Sequence, residues 1–343
     1  MHPQRIDTGD ERELRQLYDV FDAAWAVDHP DLPYDPFEEM LVDATTARRS
    51  YRDEWWLLRD ASRQAIGGYR LSLPQLDNTD NAPLDLVVHP SRRRTGLGRL
   101  LFAHASDRVQ AVGRRRIVME VGEPLAPTQP APGPAFATAV GAARALDEVR
   151  RALDLQDIDA AHLEALKVDA LARADGYRLV QWVDTAPDDV VEELAVLMGR
   201  MSTDAPLEDL AWEAEHWDVE RVREQERVTA AKGRRRLVTA ALHEASGSLV
   251  AYTDVAVSTH QPEAAYQWDT LVLAAHRGHR LGMLVKIANL ELLRREAPDA
   301  RTLSTWNAAS NTHMVAINEA LGFRPVERWC EWQLDLLGAS PLR

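Results

Sequence analysis

Val88-His89-Pro90-Ser91-Arg92-Arg93-Arg94-Thr95-Gly96-Leu97-Gly98-Arg99-Leu100-Leu101 returns later in the chain, altered but in register, as Val272-Leu273-Ala274-Ala275-His276-Arg277-Gly278-His279-Arg280-Leu281-Gly282-Met283-Leu284-Val285. The copies align end to end without a gap, so Arg93 falls on Arg277, Leu97 on Leu281 and Gly98 on Gly282. Upstream the same register sets Asp85 on Asp269. Each copy reads as an apolar strand, a short basic loop with glycine, and an apolar-periodic helix. Such a loop turns several backbone N–H groups toward one point, and the helix N-terminus adds partial positive charge. Glycine lets the backbone come close to a phosphate, and arginines add charge-assisted hydrogen bonds. A single copy is matched by the plainer reading, a strand–helix corner with solvated arginines. Two copies in register favour a phosphate cradle built twice.

Composition sets the frame. At 343 residues the chain has room for two domains, each with its own core. The expected division is a module over 1–155, a connecting helix over 156–175, and a second module over 176–343. Hydrophobic residues at 45% and charged residues at 27% fit a globular protein. No apolar run approaches the ~20 residues that cross a bilayer, and residues 1–7 show no apolar leader. Cys330 is the single cysteine, which excludes an internal disulfide or a cysteine metal site and fits a reducing cytoplasm. No metal ligand set is expected. The formal charge of −14 argues against nucleic acid and leans toward a cationic substrate such as an amine.

Periodicity places the elements. A helix is expected over 11–25, a hairpin over 55–73, a strand over 84–88, a helix over 97–112 and a strand over 116–121. The second half repeats the order with a strand at 177–183, a helix at 190–201 and a hairpin over 235–257. A strand over 267–273, a helix over 281–296 and a strand over 302–307 follow. The stretch 123–134 holds Pro124, Pro127, Pro130, Pro132 and Pro134 and is expected to be irregular. It falls where the first module needs its later helix, so that module's distal half is expected to be degraded.

Arg93-x-x-Gly96-x-Gly98 after Val88-His89-Pro90 resembles the acyl-CoA pyrophosphate loop of the GNAT superfamily of N-acetyltransferases. The second copy is similar, with Arg280 where the family usually has its first glycine. Asn311-x-x-Met314-x-x-Ile317-Asn318-x-x-x-Gly322-Phe323 resembles the family's later helix-and-strand motif, with Asn318 where a tyrosine often protonates the departing thiolate. The resemblance covers nearly the whole chain and implies an α/β (α+β) protein of two tandem modules, in architecture like the mycothiol-synthase type. Each module would carry a mixed, mostly antiparallel central sheet flanked by helices. Acetyl-CoA is the implied cosubstrate. Its ligands would be Val88, Arg93, Arg94, Gly96, Gly98 and Arg99 in one module, and Val272, Arg277, Gly278, Arg280, Gly282 and Asn311 in the other. Arg280 is expected to fold back onto a phosphate.

Transfer of acetyl from a thioester to an amine needs a base near the amine and a proton for the leaving thiolate. Asp269 heads the candidate bases. It lies just before Val272 on the same strand, and the motif from Asn311 to Phe323 follows it. Asp85 is its counterpart, with backbone capping as the competing role. Glu120 stands where some GNAT enzymes keep a catalytic glutamate. Tyr266 and Asn307 complete the expected catalytic set, Tyr266 as a substitute donor and Asn307 as a holder of water. The expected activity is direct acetyl transfer to a small amine, with chemistry in the second module. The alternative is a non-catalytic acyl-CoA-binding or scaffold protein.

Overall fold

The computed structural model describes residues 1–127 and 131–336. The chain divides into two compact units, one made of Met1–Glu148, Leu207–Glu213 and the segment from Glu327 onward. The other is made of Val149–Pro206 and Ala214–Val326. Each carries a mixed, mostly antiparallel sheet with helices against it, the architecture the resemblance implies.

In the first unit, β1 (Gln4–Arg5), β2 (Tyr51–Arg59), β3 (Ala65–Pro74), β4 (Asn81–Val88) and β5 (Arg116–Pro124) lie side by side in chain order. The neighbours are antiparallel except β4 and β5, which run parallel. Helices α1 (Glu11–Asp28), α2 (Phe37–Thr45), α3 (Leu97–Ala111) and α4 (Pro132–Ala139) complete the unit, together with the start of β6 (Ala143–Asp154). Asp10 caps α1, its carboxylate accepting from the N–H groups of Arg12 and Glu13. One face of the sheet packs Leu71, Leu84, Leu101 and Phe102 under α3, and the other packs Leu14, Leu17, Phe37 and Leu57 under α1 and α2.

The second unit has α5 (Ala160–Leu171), β7 (Tyr177–Val183), α6 (Val191–Asp204), α7 (Val219–Ala231), β8 (Arg234–His243), β9 (Ser248–Ser258) and β10 (Gln261–Val272). After them come α8 (Leu281–Glu296), β11 (Thr302–Ala308), α9 (Thr312–Ala320) and β12 (Arg324–Asp335). Here β10 and β11 are the parallel pair. Only the first residues of β12 lie in the second unit; from Glu327 it belongs to the first, where it pairs antiparallel with β5 from Glu327↔Pro124 to Asp335↔Arg116.

The parallel pairs matter most. Strands β4 and β5 are in register only at Asn81↔Arg116 through Pro83↔Val118, and β10 and β11 only at Ala264↔Thr302 through Tyr266↔Ser304. Beyond those residues the two strands of each pair part among the described residues, and each of β4 and β10 runs on toward its basic loop. An extended ligand can pair with a strand edge left open in this way.

The expectation of irregular chain over 123–134 is corrected at both ends. Strand β5 includes Glu123 and Pro124, and α4 begins at Pro132. Pro132 and Pro134 fall in the first turn of α4, where a missing N–H leaves no helical bond unmade. Pro130 lies outside the described residues. Nor is the distal half degraded, because α4 and β6 repeat α9 and β12 in a slightly shorter register of their own. Phe136 falls on Ile317, Gly141 on Gly322 and Ala143 on Arg324. Both glycines take the left-handed conformation, φ +86° and +100°, that ends each helix.

Candidate functional site

The two basic loops share one backbone. Each leaves its strand through a short 3-10 turn, Pro90–Arg92 or Ala274–His276, passes an extended arginine, and then takes left-handed φ at two alternate positions. In the first loop those positions are Arg94 (φ +63°) and Gly96 (φ +87°), and in the second Gly278 (φ +89°) and Arg280 (φ +55°). Each copy thus keeps glycine at one strained position and arginine at the other. Among the described residues, the N–H groups of 94–99 and 278–283 donate to no backbone carbonyl. The result is a cup of donors at the start of α3 and of α8, suited to an anion.

Arg93 and Arg277 hold the loops in place. Arg93 donates from Nε to the Val88 carbonyl (3.3 Å) and pairs through both terminal nitrogens with Asp28 at 2.7 Å. Arg277 repeats this with the Val272 carbonyl (3.2 Å) and Asp204 (3.1 Å). Asp28 and Asp204 are the last residues of α1 and α6. Of the other loop arginines, Arg94 and Arg99 are exposed and make no ion pair among the described residues. Arg280 instead pairs with a carboxylate. Its Nε lies 3.0 Å from Asp169 of α5, both side chains being about half exposed. The first loop therefore keeps free permanent positive charge, whereas both arginines of the second are paired.

Because Arg280 pays for left-handed backbone with only an exposed ion pair in return, Arg280→Gly is expected to raise stability by about 0.5–1 kcal/mol. Thermal unfolding reads the effect, and a lower midpoint would show that the pair with Asp169 outweighs the strain.

Gly98 and Gly282 open the second residue of their helices. A Cβ at Gly98 would stand 3.0 Å from the ring of Phe136, and one at Gly282 would stand 3.3 Å from Cδ1 of Ile317. Both neighbours come from the distal helix, which brings α4 and α9 to the loops. Asn311 caps α9, its Oδ1 accepting from the Met314 N–H at 3.2 Å. Asn307 Oδ1 accepts a 2.6 Å bond from Nδ2 of the buried Asn318. Neither asparagine is a Brønsted acid that could supply the thiolate's proton.

On β10, beyond the last register pair with β11, Asp269 sits in a dense polar network. Its Oδ2 accepts from Tyr252 Oη at 2.7 Å, and its N–H donates to Asp254 Oδ1 at 2.9 Å. Asp254, fully buried, receives Arg236 Nε at 2.6 Å. Burial first, and then repulsion from Asp254, push the Asp269 carboxyl up to about 6, against the opposing pull of Tyr252 and Arg236. Burial, followed by Asp269 and Asp254, holds the Tyr252 hydroxyl well above its ordinary range, so Tyr252 stays a donor. Tyr266 is stacked on Trp306, ring centres 6.3 Å apart, with the Arg234 guanidinium 5.9 Å above it.

The first unit holds the same positions with the charges changed. Arg70 falls on Asp254 in the register of the loops. Asp53 falls on Arg236, since Asp53 pairs with Ser72 as Arg236 pairs with Ala256. The ion pair beside the aspartate is therefore inverted. Arg70 Nε lies 3.5 Å from Asp53 and 4.0 Å from Asp85. Asp85 opens into a cavity with Phe21, Tyr34, Trp55 and Arg70, and its side chain is 57% exposed although protein surrounds it. Alongside, Glu120 faces Glu331 across the β5–β12 register. Crowding by the protein, and then repulsion from Glu331, Glu148 and Asp85, raise Glu120 well above the usual carboxylate range. Crowding and the neighbouring Glu148 and Asp85 raise Glu331 to about 7.

The sequence pattern brings out both loops, and in the second unit it also brings out Asp269, Tyr266 and Asn307, which stand on the parallel strands β10 and β11. Reading residue by residue misses Arg236, Asp254 and their counterparts Asp53 and Arg70. The internal repeat is the available signal, but opposite charges at matched positions conceal it.

The sequence profile of the Acetyltransferase (GNAT) family matches residues 14–130. Among solved structures, the chain is similar to a tandem GNAT protein from the clavulanic acid biosynthesis pathway, at 32% identity over 99% of both chains with a TM-score of 0.80. It shares its fold with a GCN5-related N-acetyltransferase from Sphaerobacter thermophilus, at 14% identity over 99% of this chain and 97% of that one, TM-score 0.64. No curated protein sequence is matched.

Proposed function

The chain belongs to the GNAT acetyltransferase family as a tandem member, and on that premise we propose that it transfers acetyl from acetyl-CoA to a small amine by direct attack in the second unit. One observation carries the reading. Asp269 is a carboxylate whose proton affinity is raised to about 6, on the strand that leads into a phosphate cup. A base is most effective when its pKa is near the working pH.

In this reading the amine nitrogen attacks the thioester carbon, Asp269 takes the nitrogen's proton, and the carbon–sulfur bond breaks. A thiolate is a stronger base than the Asp269 carboxylate, so the proton then passes from Asp269 to sulfur. No separate acid is required, in keeping with asparagine at position 318. Tyr252 steadies Asp269, and Tyr266 with Trp306 forms an aromatic wall for the acceptor. The place of the tandem relative in a biosynthetic pathway supports a small-molecule acceptor.

A second reading puts transfer in the first unit, on the strength of Asp85 opening into the aromatic cavity and of the free Arg94 and Arg99 in that unit's loop. Release of CoA from acetyl-CoA over a panel of small amines tests the activity itself. No amine-dependent release would leave the non-catalytic, acyl-CoA-binding alternative.

Occupancy of the cups is tested separately. Gly98→Asp and Gly282→Asp each set a negative charge against the phosphates and are expected to weaken acetyl-CoA binding at their own loop by about tenfold or more. Calorimetry on the two variants counts the sites. Unchanged binding in both would remove the phosphate-cradle assignment.

A further inference from the structure

The second loop has no unpaired arginine among the described residues, yet it gathers histidines. His276 and His279 belong to the loop, and His243 ends β8 as the register partner of Tyr177 on β7. All three rings surround Tyr177. Its hydroxyl lies 2.9 Å from His276 Nδ1, and its ring centre lies 5.2 Å from those of His243 and His279. The rings of His243 and His276 are 4.9 Å apart.

The internal repeat gives these residues a reference. Arg92 falls on His276 in the register of the loops. Asp60 falls on His243 in the register that sets Asp53 on Arg236. In the first unit these two positions form an ion pair, Arg92 to Asp60 at 3.1 Å, which ties the loop to the hairpin at any physiological pH. The second unit sets two imidazoles at these positions, their ring centres 4.9 Å apart. Imidazole is the side chain whose unperturbed titration falls between pH 5 and 8.

From this geometry we propose that His243, His276 and His279 form a proton-coupled binding site for a phosphomonoester at the second loop, a site the first loop does not have. The inference rests on the reading of the loop as a CoA cradle, and the group it would hold is the 3′-phosphate that CoA carries. In each histidine Nδ1 is already engaged, with Ser246 Oγ (2.9 Å), Tyr177 Oη (2.9 Å) and the Arg173 carbonyl (3.3 Å) respectively. Nε2 is left as the nitrogen that gains a proton and donates to the anion. Burial, and then His243 and His279, hold His276 below its ordinary value, so His276 resists charging until an anion arrives. The charged groups on the elements packed around it are Arg277 with Asp204, Arg280 with Asp169, and Arg173, Asp175, Arg178 and Glu244. Arginine and carboxylate side chains ordinarily keep their charge across the imidazole range, which leaves the histidines as the protein groups that respond.

The sign follows from linkage. An anion that binds the imidazolium form takes up protons, so its affinity rises as pH falls through the imidazole range. In a Gly98→Asp background that silences the first loop, CoA and 3′-dephospho-CoA are titrated by calorimetry. From about pH 8 to about pH 6.5, CoA is expected to tighten about fivefold while dephospho-CoA changes less than about twofold. His276→Asn should bring CoA down to the dephospho-CoA response. The double variant His243→Asp/His276→Arg installs the first unit's ion pair, and should preserve folding while removing the pH dependence. Equal responses of the two coenzymes, or a response retained in both variants, overturns the site. Failure of both coenzymes to bind at either pH in this background would overturn the cradle reading of the second loop and this inference with it.

Discussion

Asp269→Asn is expected to lower kcat by about 10²–10⁴-fold while leaving acetyl-CoA affinity near that of the native protein. The amide keeps the size of the side chain and can still meet Tyr252, but it cannot accept the amine's proton. Its effect therefore separates base from scaffold. In the native protein kcat/KM should fall as pH drops through about 6, the value to which Asp269 is raised, because the basic form is lost on that side. The variant should lose that limb. Asp85→Asn should cost mainly stability, since Asp85 lies beside Arg70 rather than in a closed network. Steady-state kinetics on a responsive amine decides the matter, and an equal or larger kcat loss from Asp85→Asn would move the chemistry to the first unit.

Arg236→Ala should be the most destabilising single change in the second unit, at about 3–5 kcal/mol. Its guanidinium is 2% exposed and bonds Asp254 at 2.6 Å and Gln225 at 3.1 Å. Truncation leaves the Asp254 carboxylate buried without its partner. Denaturant unfolding measures the loss, and Arg236→Met with Asp254→Leu should recover much of it, because an apolar pair needs no solvation. A loss below about 1 kcal/mol in the single variant would mean that water reaches Asp254. The variant also carries a signature at the site. Arg236 pulls the Asp269 carboxyl downward, so its removal should shift the acid limb of kcat/KM to higher pH.

What could be read from the chain follows from how local each signal is. The loops were legible because a strand, a left-handed turn and a helix start all fall within one short stretch, and the second copy supplied a check. Asp269 was legible through the same register. The distal half of the first unit was hidden because its register differs from that of the loops and proline occupies its first helical turn. Helix α7 had no apolar stripe to betray it, for its buried positions include Arg221, Glu224 and Glu226 as well as Val222. The pair Arg236–Asp254 is set by contacts across neighbouring strands. Its counterpart has the signs reversed, so similarity of type could not reveal it. The juxtaposition of His243 and His276 was invisible for the same reason, since its counterpart is Asp60 with Arg92.

Strand β12 bears on how the protein is made. Arg116 at one end of β5 and Asp335 at the end of β12 are 219 residues apart in sequence and 3.1 Å apart in space. During synthesis, β5 emerges with Ile117, Val118 and Met119 in place but must wait for its neighbour until the whole second unit has been translated. At ~5–20 residues per second that delay is on the order of ten seconds or more. Throughout it the first unit carries an open strand edge, the feature from which intermolecular pairing and aggregation start.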